Sequence, residues 1–136
     1  RRSVYLPIVR GSVPSALTVF DFPAPEMLVG NRSVTTVPAQ ALFMMNSPFV
    51  ISQAEATAER ILKDEKQSDR ERVSQLYLTC LGREANAKEQ AEALQYIDSL
   101  FGLNLKENDD KSQARQKAWA SYCQILFAST EFRFLN

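Results

Sequence analysis

Ser68-Asp69-Arg70-Glu71-Arg72-Val73-Ser74-Gln75-Leu76-Tyr77-Leu78-Thr79-Cys80-Leu81-Gly82-Arg83-Glu84-Ala85-Asn86 decides the fold class of this chain. Val73, Leu76, Tyr77, Cys80 and Leu81 recur with the period of an α-helix, so they make one apolar stripe. Arg70, Glu71, Arg72, Ser74, Gln75 and Thr79 fill the other face. Ser68 and Glu71 have the spacing of a capping box, in which hydroxyl and carboxylate satisfy the free N–H groups of the first turn. Gly82 supplies the left-handed residue that ends a helix. Asn86 and Glu89 repeat the opening punctuation, Ala91, Leu94, Ile97 and Phe101 make a second inner stripe, and Gly102 marks its end. The connector Gly82-Arg83-Glu84-Ala85 is so short that helices over 68–82 and 86–102 are antiparallel neighbours. Arg83, just past the first helix, is read as structural: it donates to the last carbonyls or pairs with Glu84 or Glu89.

Working outward, the fold class is mainly α: a small helical bundle built on this hairpin, with an extended, loop-rich N-terminal segment. A short, almost wholly apolar helix beginning near Pro38, with Ala41, Leu42, Met44 and Met45, is expected to lie buried in the centre. Asn46-Ser47-Pro48 breaks it and starts a helix with Val50, Ala54, Ala58, Ile61 and Leu62 on one side. Glu55, Glu59, Arg60 and Lys63 are its wet face. The charged run 106–111 reads as a solvated loop. Asp110 and Gln113 cap a last long helix whose Ala118, Trp119, Tyr122, Ile125 and Leu126 seal the bundle. Residues 129–135 add a final turn or pack Phe132 and Phe134 under it.

Before residue 37 the pattern is weaker. Pro7 confines the β-prone run 3–10 to an edge or an extended arm. Pro14 opens a short helix that ends before Pro23, and residues 22–36 are an irregular loop. The expected organisation is an arm, short helix and loop over 1–36 docking on an upstream domain, and a bundle over 37–136. Together these form one domain cut from a longer protein, since the chain opens on Arg1 without Met.

A chain of 136 residues, 45% apolar and 24% charged, can bury an ordinary core. Its 16 basic residues cancel 16 acidic ones, which argues against nucleic acid as a partner. No apolar run approaches the roughly 20 residues of a membrane span, so no membrane insertion is expected. Histidine is absent, which removes His-dependent nucleophile arrangements and the commonest metal ligand from this segment. No metal site and no cofactor are expected in it. Cys80 and Cys123 stand alone, without C-x-x-C spacing, and are either two buried small hydrophobes or a disulfide joining two helices.

Several stretches carry a family resemblance: Arg2-Ser3-Val4-Tyr5-Leu6-Pro7, Phe20-Asp21-Phe22-Pro23, residues 32–42, and Asn46-Ser47-Pro48-Phe49-Val50. Leu81-Gly82-Arg83, and residues 126–132 with Ser129, Glu131 and Phe132, are more generic matches. Over nearly its whole length the chain resembles the C-terminal planctomycete-specific domain of unknown function found in large exported proteins that also carry a cytochrome c-like domain. The resemblance implies an exported, periplasmic or cell-envelope location and haem in a separate domain, the Cys-x-x-Cys-His attachment motif being absent from this sequence. It also implies that Cys80 and Cys123 meet an oxidising environment.

Three functional readings remain open. The first is a non-catalytic interaction or scaffolding module of a larger exported, cytochrome c-associated protein, its partners being upstream domains or other envelope proteins. In the second, the segment completes an enzyme site with the upstream domain. Its carriers would be Arg2, Arg10, Asp21, Glu26 and Arg32, with Gln40 and Asn46 as neutral hydrogen-bonding groups, because arginines read carboxylates bidentately and a neighbouring carboxylate can act as base. The third is a carbohydrate- or protein-binding surface using Tyr5, Tyr96 or Trp119.

Overall fold

The structure, a computed structural model, describes residues 8–9, 11–20, 22, 37–107 and 110–133. Seven helices occur in order among them: α1 (Ser15–Val19), α2 (Val37–Asn46), α3 (Pro48–Leu62), α4 (Asp69–Leu81), α5 (Ala87–Glu107), α6 (Lys111–Ala128) and α7 (Thr130–Arg133). No β-strand occurs among the described residues, only an isolated bridge between Val9 and Ser12. The mainly α reading therefore holds. The chain divides into two compact units, 1–43 and 44–136.

In the first unit Gly11 takes φ 79°, and Ser12 N–H donates to the Val9 carbonyl at 3.0 Å, closing a tight turn. The residue preceding α1 is Pro14, whose carbonyl accepts from the Leu17 and Thr18 amides. Phe20 and Phe43 meet edge to face with centroids 5.9 Å apart. The arm expected over residues 3–10 falls mostly outside the described residues, as do the loop at 23–36 and Phe134.

In the second unit the punctuation at 68–89 is as read. Ser68 Oγ accepts from the Glu71 amide at 3.3 Å while Glu71 Oε2 accepts from the Ser68 amide at 2.7 Å. Asn86 and Glu89 make the same reciprocal pair at 2.9 and 2.8 Å. Gly82 closes α4 at φ 72°. The helices α4 and α5 pack on each other, and Gln90 Nε2 donates to Ser74 Oγ at 3.0 Å between them.

That hairpin is not the centre. The helix α6 is, packing most extensively on α3, then on α5, and more lightly on α4 and α7. The faces α3 and α6 present are small: Ala54, Ala58, Ala114 and Ala118 are at most 1% exposed. Trp119, Leu76, Val73 and Cys123 are the largest fully buried side chains. Each such apolar side chain contributes about 1.5 to 3 kcal/mol on leaving water.

Four expectations are corrected. Gly102 does not stop α5, which runs on to Glu107. It sits in a helix interior, where it costs ~1 kcal/mol relative to Ala, and the good helix formers beyond it outweigh that cost. Within α5 Ile97 is buried and Leu94 and Phe101 are half-buried as expected, but Ala91 is exposed and Ala93 takes the buried place instead. Arg72, assigned to the outer face, is 5% exposed. The helix α2 is not centrally buried: Leu42 is 60% and Met45 54% exposed. Being apolar all round it has no preferred inner face, so turning one side inward leaves another outward.

Candidate binding cleft

An open cleft of about 870 Å³ is lined by the end of α3, the segment leading into α4 and the first turns of α4 and α6. Two helix N-termini therefore open on it, each a partial positive charge. Their positions follow from sequence: Ser68 caps α4, and Asp110, accepting from the Ser112 and Gln113 amides at 2.8 and 3.2 Å, caps α6.

Arg72 lies in the wall. Its Nη1 donates to Asp69 Oδ1 at 2.6 Å and its Nη2 to the Asp64 carbonyl at 2.7 Å. The same Asp69 oxygen accepts from Arg115 Nη2 at 2.6 Å. Two guanidiniums thus share one carboxylate, and the triad keeps a net positive charge. Arg72 Nε and Gln67 Oε1 are buried and lack a hydrogen-bond partner. Each unmet group costs about 1 to 3 kcal/mol if nothing answers it. Lys63 and Lys111 line the cleft beside the exposed Glu59 and Glu65, and Phe101 and Leu62 supply apolar wall.

A second polar constellation centres on Arg83, which donates to Glu89 Oε1 at 2.7 Å and Oε2 at 2.9 Å, and to Glu131 Oε2 at 2.8 Å. The guanidinium stands 5.4 Å from the Tyr77 ring centroid, and Tyr77 Oη lies 3.3 Å from Tyr122 Oη in the core. Arg83 holds the Glu89 carboxyl down at about 2, aided by the Asn86 amide. Burial, with the Tyr77 hydrogen bond, keeps the Tyr122 hydroxyl protonated well above its usual range. The expectation for Arg83 is met in its pairing with Glu89, whereas the tie to Glu131 was not read. The arrangement holds α4, α5 and α7 together.

A smaller groove of about 510 Å³, lined by Ile51, Glu55, Gln113, Lys117 and Gln124 among others, runs between α3 and α6. Gln124 Nε2 donates there to the Met45 carbonyl at 2.5 Å.

Of the candidate residues from sequence, Arg2, Arg10, Asp21, Glu26 and Arg32 lie outside the described residues. Gln40 is buried and Asn46 exposed, and neither lines a cleft described above. Tyr5 is also outside the described residues, and Tyr96 is half-buried with its hydroxyl 3.0 Å from Ser121 Oγ. Trp119 is fully buried and cannot serve as an exposed binding ring, a correction that follows from α6 being the core helix. Cys80 is half-buried, Cys123 is buried, and both are free thiols. Burial pushes the Cys123 thiol up to about 12, and the charge of Cys80 adds to it. Among the described residues no three His, Cys, Asp or Glu side chains are grouped to hold a metal ion, and no helix is long and apolar enough to cross a membrane.

Sequence reasoning missed the cleft because its walls come from residues far apart in the chain. One signal pointed to it: Arg72 stands four residues before Leu76, on the edge of the buried stripe. A family model described as a protein of unknown function (DUF1553) matches residues 1–97. No curated protein and no solved structure matches the chain.

Proposed function

The chain belongs to this DUF1553 family of proteins of unknown function, and from that premise we propose that it is a non-catalytic interaction module of a larger exported protein. The observation that carries the reading is apolar exposure around the start of α3: Met45 is 54%, Phe49 70% and Ile51 36% exposed. Single exposed apolar residues are ordinary, but several together on one stretch favour a docking surface. The partner we assign is the upstream part of the same polypeptide, which in this reading also receives the N-terminal arm and carries the cytochrome c-like domain. The alternative, an enzyme site completed by that upstream part, would draw on Arg2, Arg10, Asp21, Glu26 and Arg32.

The envelope location belongs to the same proposal, and in it Cys80 and Cys123, free thiols here, would meet an oxidising environment. Hydrogen exchange tests the module reading. Residues 45–51 should gain protection in the full-length protein relative to this chain alone, and equal exchange in both would remove the docking role.

A further inference from the structure

The helix α7 is an arm on a one-residue hinge. Ser129, between Ala128 of α6 and Thr130 of α7, is extended at φ −64° and ψ 153°, and the backbone is helical on either side of it. None of the four residues of α7 is buried. The arm is instead seated by two side chains: Glu131 takes donors from Nε and Nη2 of Arg83, and Phe132 lies on Phe127. Glu89 grips the same guanidinium from the body at 2.7 and 2.9 Å, so the seat stays formed when α7 leaves it. The ligand this seat takes is therefore known, a carboxylate followed directly by an aromatic ring.

The hinge has a second conformation open to it. Residues 129–133 contain neither Gly nor Pro, so α6 can run on through Ser129 as one helix. That turn supplies donors to the last carbonyls of α6, breaks the bond from the Phe132 amide to Ser129 Oγ, and lifts Glu131 and Phe132 off their own seat. Five more helical residues reach about 7.5 Å beyond the end of α6.

We propose that two copies of this chain exchange α7, each extending α6 through the hinge and placing its Glu131 and Phe132 on Arg83 and Phe127 of the other copy. Arm and seat are the same in both chains, so the pair closes on a two-fold axis. The contacts given up within one chain are regained between two, and only the hinge and the cost of association differ. Within a chain the arm meets its seat at an effective concentration on the order of millimolar, so the dimer forms in concentrated protein and the monomer prevails on dilution.

Light scattering across a concentration series up to about 1 mM tests this, with two hinge variants. In Thr130→Pro the ring suits the first position of α7, keeps Ser129 extended and forbids the continuous helix. It should abolish the dimer without lowering the unfolding midpoint. Ser129→Ala, which removes the acceptor for the Phe132 amide and favours helix, should raise the dimer fraction several-fold. Mixing Arg83→Ala with Glu131→Ala restores one complete ion pair in a mixed dimer and none in either homodimer. The mixed dimer should exceed the statistical ratio about fivefold. Monomer alone throughout the series, an undiminished dimer in Thr130→Pro, or a statistical ratio on mixing would each overturn the exchange.

Discussion

Arg83 and Glu131, 48 residues apart, are joined by a two-point ion pair, Nη2 standing 2.8 Å from Oε2 while Nε donates to Oε1. The same guanidinium grips Glu89, so one side chain ties the end of α4 to the first turn of α5 and to α7. Because α7 has only four residues and no buried ones, this pair and the Phe127–Phe132 ring contact at 5.1 Å hold it. Arg83→Ala should release α7: the amides of residues 130–133 lose exchange protection while those of Val73 and Leu76 keep theirs. Arg83→Lys should rescue little, since an ammonium lacks the planar fork that serves two carboxylates. Unchanged protection of α7 in Arg83→Ala would show that the ring contact and the hydrogen bonds to Ser129 hold it without the ion pair.

Acid should act through the same cluster. Folding lowers the Glu89 carboxyl from its ordinary 4.5 to about 2, mainly through Arg83. Between those values the unfolded chain binds more protons than the folded one, so stability rises with pH across the window. The stabilisation is present above about 4.5 and disappears as the pH falls through about 2. Glu131 and Glu71 are shifted in the same direction, by Arg83 and by the Ser68 cap respectively. Denaturant midpoints of the wild type should therefore fall with acidification across this range, and Glu89→Gln should flatten that fall. Parallel curves for the two proteins would count against the Glu89 assignment.

The single tryptophan reports on the core. Trp119 is fully buried and its indole N–H has no partner among the described residues. Its emission should be blue-shifted in the native state. Trp119→Ala should cost about 3 to 5 kcal/mol by opening a cavity. Trp119→Phe should cost clearly less, because it also removes an unmet donor worth about 1 to 3 kcal/mol. Equal losses for the two variants in denaturant unfolding would mean that the indole N–H is satisfied.

Thiol chemistry should separate the two cysteines. Burial raises both thiols, and Cys123 is the more deeply buried, its pKa reaching about 12. In reduced native protein an alkylating reagent should modify Cys80 slowly and Cys123 only on unfolding. Faster labelling of Cys123 would contradict its placement on the core face of α6.

Local signals in the sequence reached far. The Ser68–Glu71 and Asn86–Glu89 caps, the Gly82 stop and the Val50, Ala54, Ala58, Ile61 stripe are each decided within one or two helical turns, and all stand as read. Non-local competition was illegible. Whether Gly102 ends a helix depends on the helix formers beyond it, and whether α2 is buried depends on neighbours distant in sequence. The central place of α6 arises from alanines on two helices that meet, a feature no single helix displays. The cleft is the extreme case: Arg72 and Arg115 come together only because both reach Asp69.

The role proposed for this chain rests on its docking to the upstream part of its own polypeptide through the start of α3. Calorimetric titration of that upstream part into this chain is the decisive measurement, alongside Phe49→Glu, a substitution at a 70% exposed position that leaves the core untouched. Saturable binding to the wild type is expected, with loss of about tenfold or more in affinity for Phe49→Glu at unchanged stability. No binding to the wild type, or equal affinity for both proteins, would contradict the docking role.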